Sequence, residues 1–174
     1  MKKKLNPRRI PLPKAAIKID EIVEEAMKDD MYHSWLVVAE ALVNLEYVNA
    51  YEVQSLCDEV NEFSKKDADS KALAHAESLM GIGPRPRLDI SRVKSPIELE
   101  KFKRKVTRVA MYTSLAVICL GLEKTGKFSK DDLHRIFFSA DITLAEIDAG
   151  TDNYEEIEQR LLNQMVKIEP DEDL

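Results

Sequence analysis

The chain resembles itself at an offset of 80 positions, and this constrains the fold more than any single motif does. Tyr32-His33-Ser34-Trp35-Leu36-Val37-Val38 lies over Tyr112-Thr113-Ser114-Leu115-Ala116-Val117-Ile118. Tyr, Ser and Val coincide, and Leu42 falls on Leu122. Without a gap, Val48-Asn49-Ala50-Tyr51-Glu52-Val53 meets Phe128-Ser129-Lys130-Asp131-Asp132-Leu133, and Leu56 meets Ile136. Upstream, at an offset of 77, Asn6-Pro7-Arg8 falls on Gly83-Pro84-Arg85. A chain of this length that carries one unit twice is expected to bury the two copies against each other.

Each copy reads as helix. Ile19, Ile22, Val23, Ala26 and Met27, then Tyr32, Trp35, Val38, Ala39 and Leu42, keep the i, i+3, i+4 spacing of a buried helical stripe. One long helix is expected over 18–46. A second starts at Asn49 and runs through Leu56, Val60 and Phe63, with more helix around Leu73 to Met80. Gly81, Gly83, Pro84 and Pro86 break the chain. Ser95 caps the next helix with Pro96 in its first position. A further helix follows Ser129 and stops at Gly150, and a last one spans about Asn153 to Val166. Asn49 with Glu52, and Ser129 with Asp132, have capping-box spacing. With 5 Gly, 7 Pro and 6% aromatics, a turn-rich barrel or sandwich is excluded. The expected fold is all-α: two duplicated helical hairpins packed into a single bundle, with extended basic Pro-Arg arms. Its segments are an arm (1–18), a first repeat (19–80), a linker (81–94), a second repeat (95–168) and an acidic tail (169–174).

Charge is segregated along the chain. Residues 1–18 carry seven Lys or Arg and no acid, while residues 19–64 carry twelve acids against Lys28 alone. Residues 81–110 hold nine basic residues against three acids, and 111–174 return to fourteen acids against six bases. Lys2, Lys3, Lys4, Arg8 and Arg9 of the arm, with Arg85 and Arg87 of the linker, are candidate contacts for a nucleic acid or an acidic partner. The net charge of −6 opposes a polyanion at long range, so pairing of the arm within or between chains competes with that reading. Glu21, Glu24, Glu25, Asp29 and Asp30 read as a solvent-facing acidic stripe, which on a partner enzyme would imitate a nucleic-acid backbone.

Catalytic and metal chemistry find little footing. Gly121-Leu122-Glu123-Lys124-Thr125-Gly126-Lys127 has phosphate-loop spacing, but Phe128 replaces the hydroxyl residue, and the segment follows a helix rather than a strand. Its glycines read as helix stops. His33, His75 and His134 have no second His or Cys at zinc spacing, and Asp148 to Glu156 fails the calcium-loop register. No metal, cofactor or catalytic residue is expected, and the chain reads as a non-enzyme. Cys57 and Cys119 read as reduced core thiols. The apolar run Met111 to Leu122 is about half the ~20 residues of a bilayer span. With no secretory signal pattern at the start, a cytoplasmic setting is expected. Tyr32, Trp35 and Tyr112 lie near the apolar stripes and read as core, while an exposed Trp35 or Tyr51 would be a candidate protein-interface residue.

Asn6-Pro7-Arg8-Arg9-Ile10-Pro11 and the segment Leu122 to Leu133 resemble a set of small helical proteins carried by phages and prophages of Gram-positive bacteria. Those chains have an N-P-[RK]-x-x-P arm, a helix, a K-x-G-[FW]-type turn and another helix, so this chain would be two such units fused. The first copy departs from the pattern, with Asn44 to Val48 where the turn glycine would be. The resemblance implies an accessory protein acting inside a host cell and brings no site residues with it. The expected function is therefore a non-enzymatic interaction with a host or phage protein, with homo-oligomers allowed. Nucleic-acid binding through the basic arms, and inhibition of a nucleic-acid enzyme by an acidic face, are the alternatives.

Overall fold

The computed structural model describes residues 19–67, 70–81, 88, 89, 93, 95–166 and 168. They form six helices: α1 (Ile19–Asn44), α2 (Ala50–Asp67), α3 (Ser70–Met80), α4 (Pro96–Lys124), α5 (Lys130–Ala149) and α6 (Tyr154–Asn163). No strand occurs among the described residues, so the protein is all-α.

The ends are set by the signals read above. Ser95 Oγ accepts from the Glu98 N–H at 3.3 Å, with Pro96 in the first turn of α4. Ser129 and Asp132 close a full capping box on α5, and Gly150 ends that helix in the left-handed region at φ 72°. At α2, Glu52 accepts from the Asn49 N–H at 3.0 Å, while the Asn49 side chain accepts from the Tyr51 N–H at 3.0 Å. These contacts satisfy amide donors that a helix cannot serve from within.

The helix boundaries recur at the offset seen in the sequence. α1 ends at Asn44 and α4 at Lys124, while α2 begins at Ala50 and α5 at Lys130. The chain leaves α4 through Gly126 at φ 68° and leaves α1 through Glu46 at φ 59°. The turn missing its glycine thus takes the same left-handed backbone with a glutamate. In α2 the buried residues are Val53, Leu56, Cys57 and Val60, and in α5 they are Leu133, Ile136, Phe137 and Ala140, each 80 positions on.

α1 and α4 form the centre and make the most extensive helix pair. α2 and α3 lie mainly on α4, whereas α5 and α6 lie mainly on α1, so each outer pair covers the long helix of the other half. Polar contacts reinforce the exchange. Tyr32 donates to Glu158 at 2.8 Å, Tyr47 to Asp132 at 2.8 Å, and Lys127 to Glu59 at 2.7 Å. Arg160 binds Glu40 at 2.6 Å on one side and Asp152 at 2.6 Å on the other. α4 has the length and apolarity of a bilayer span, and its apolar side is covered by α1, α2 and α3.

Two expectations are corrected. Gly121 is not a stop: it lies inside α4, where an added Cβ would meet Val60 Cγ1 at 2.3 Å, so it is small because α2 approaches closely. Asp30 is not on the solvent side of α1: it is 3% exposed, beneath the part of α1 that α4 and α6 cover. Trp35 lies in the core, 3% exposed, with its indole N–H donating to Asn61 at 3.1 Å, so it offers no interface surface.

Candidate functional site

The arm residues Lys2, Lys3, Lys4, Arg8 and Arg9, and the linker residues Arg85 and Arg87, lie outside the described residues. So do the side chains of Glu21, Glu24, Glu25 and Asp29. Tyr51 is described and is 77% exposed at the start of α2, its hydroxyl 3.9 Å from the Met165 sulfur. With Trp35 buried, the structure does not bring the two aromatic candidates to one surface.

A different surface stands out, on α5 and its neighbours. Phe138 (61% exposed) and Ile142 (48%) lie one turn apart and point to water. The residues 80 positions earlier, on the outward side of α2, are Asp58 and Glu62, both exposed. One outer helix therefore carries the charge expected of a solvated face, and its counterpart carries large apolar side chains. Two large apolar side chains held side by side in water carry a hydration cost that burial against a partner would remove.

A trough lies between α4 and another side of α5. Arg104 and Arg108 on α4 form one wall, and Asp141 and Asp148 on α5 form the other. Met111, Tyr112, Leu144, Ile147 and Tyr154 make the floor. The volume is about 640 Å³. Arg108 reaches Asp148 across the trough at 3.9 Å. The Tyr154 ring stacks on His33 with centroids 4.0 Å apart and planes 11° apart, which fixes the floor against α1. Burial, and then the carboxylates of Asp30 and Asp148, push the Tyr154 hydroxyl up to about 12, so it stays a neutral donor.

Burial pushes the Cys57 and Cys119 thiols well up, Cys119 to about 12, which keeps the nucleophilic thiolate from forming. Among the described residues no three His, Cys, Asp or Glu side chains stand where they could hold one metal ion. The trough escaped sequence reasoning because its parts come from three helices. The α5 face did leave a signal, the apolar pair at 138 and 142, one turn apart on the polar side of α5. No protein-family model, curated protein or solved structure matches the chain, so its own surface chemistry is what points to a function.

Proposed function

We propose that this is a non-enzymatic interaction protein, made of two copies of one three-helix unit, that binds a protein partner on the exposed face of α5. The observation that carries the reading is the pair Phe138 and Ile142, exposed where the matching positions of α2 are Asp58 and Glu62. A face left apolar in one copy only has a use specific to that copy. The duplication is supported by the recurrence of helix ends, left-handed turn residues and buried positions at one offset. The turn at Gly126, with the resemblance noted for its flanking residues, supports an accessory role for a phage or prophage inside its host cell.

The test is capture of partners by the wild-type chain and by F138D/I142E, which gives α5 the charge that α2 already carries. Both residues are exposed, so the variant is expected to keep the wild-type Tm within a few degrees. Specific partners held by the wild type should be lost from the variant. Identical sets recovered by both would remove α5 as the binding face.

A second reading rests on α4, where Lys101, Arg104 and Arg108 are exposed at i, i+3 and i+7, with Lys103 beside them. A polynucleotide bound there and by the basic arms would show affinity falling steeply with salt, and a gel shift lost on deleting residues 1–14. Asp141 and Asp148 on the facing wall oppose a phosphate backbone at this place, which is why the protein partner is preferred.

A further inference from the structure

The outer face of α5 is self-complementary. Phe138 and Ile142 stand on either side of position 140, the middle of the 20-residue helix. Ala145 and Ala149 continue the exposed stripe toward the C-terminal end with small side chains. Charge is ordered along the flanks of this stripe. The exposed bases Lys130 and Arg135 come before the apolar centre, and the exposed acids Asp141, Glu146 and Asp148 come after it. Asp131 is the exception, an exposed acid ahead of the centre.

At about 1.5 Å and 100° per residue, Arg135 and Glu146 share one flank, about 7.5 Å before and 9 Å after position 140. Lys130 and Asp148 share the other flank, about 15 Å before and 12 Å after it. A second α5 laid antiparallel, about a twofold axis at position 140, sets like flank against like flank and reverses the order along it. Phe138 then meets Ile142 of the other copy in two equivalent contacts. Arg135 meets Glu146 in the same paired way, and Lys130 comes within reach of Asp148. A parallel pairing would instead set Glu146 beside Glu146. Asp141 lies near the axis and faces its own counterpart across it, which opposes the pairing. Resting on the proposed role of α5 as a binding face, we propose that its partner is a second copy of this chain, with the two α5 helices packed antiparallel around Phe138 and Ile142. One helix face is smaller than the roughly 1,200–2,000 Å² that stable complexes bury, so the dimer exchanges with single chains.

The test is sedimentation equilibrium of the full-length chain over a wide range of concentration, at about 0.15 M salt, where screening confines charge effects to ~8 Å. Variants are first compared with wild type in helical content and Tm, because Arg135 also lies beside the Tyr47 hydroxyl of its own chain. Wild type should pass from the mass of one chain to the mass of two as concentration rises, while F138D/I142E should stay at one. E146R should weaken the dimer about tenfold, because it sets two cations together at each pair. R135E should weaken it similarly. An equal mixture of E146R and R135E should regain wild-type affinity, since the mixed dimer restores both pairs. D141N should tighten the dimer a few-fold. Should R135E not fold, E146R and D141N decide the order on their own. A wild type of one-chain mass at every concentration would overturn the second copy, while the α5 face would still stand or fall by partner capture. A two-chain mass that F138D/I142E leaves intact would put the contact elsewhere and overturn the proposal too. A dimer lost on F138D/I142E but unmoved by E146R would overturn the antiparallel order and leave the α5 face standing.

Discussion

At the residue scale, the two turns that end the long helices do the same job with different side chains. Gly126 and Glu46 both adopt positive φ, a backbone that glycine takes freely and a side-chain-bearing residue takes at a cost of about 1–2 kcal/mol. Glu46→Gly should therefore stabilise the protein by about 0.5–1 kcal/mol, and Gly126→Ala should destabilise it by about 1–2 kcal/mol, both read from urea unfolding. A Cβ at Gly126 meets nothing within 4 Å, so the second cost is conformational rather than steric. The α5 cap gives a pH prediction. The Ser129 hydroxyl first, and then Tyr47, hold the Asp132 carboxyl below its ordinary value. A lowered folded-state pKa means that the carboxylate favours folding at neutral pH. That contribution disappears as the pH falls through the lowered value. Wild type should be more stable than Asp132→Asn at pH 7, with the gap closing under acid. Ser129→Ala should cost about 0.5–2 kcal/mol at neutral pH.

At the element scale, α2 and α4 approach closely because Gly121 faces Val60, and the equivalent positions of the matching α1 and α5 pair, Ala41 and Ala140, are both buried. Glycine with valine at one inter-half packing answers two alanines at the other. Gly121→Ala should cost about 1–3 kcal/mol through overpacking, and Val60→Ala a similar amount through a cavity. The double variant places alanine at both positions, as between α1 and α5, and should recover about 1–2 kcal/mol relative to the sum of the singles. Additive costs would mean that the two side chains do not share this space. The starts of α4, α5 and α6 were legible in the sequence because Ser95, Ser129 and Asn153 serve amides within their own next turn. The division of α2 from α3 and the burial of Asp30 were not. Helical spacing says which residues share a side of α1, while the covering of that side depends on α4 and α6, far along the chain. The trough was illegible for the same reason: Arg104, Asp141 and Tyr154 meet only after the hairpin closes and α6 docks.

At the scale of the whole molecule, the two halves interlock. α2 and α3 complete the surface of α4, while α5 and α6 complete that of α1. The α5 face is presented to a partner only because α5 rests on the first half's long helix. Sequence self-similarity suggested two hairpins meeting face to face, but periodicity carries no record of which long helix each outer pair covers. The direct test is to place a protease site in the 82–87 segment, cut the folded full-length protein, and measure the mass of the product in solution without denaturant. The two fragments are expected to stay together as one particle of the uncut mass with the helical content retained. Separation into two species on cutting would contradict it.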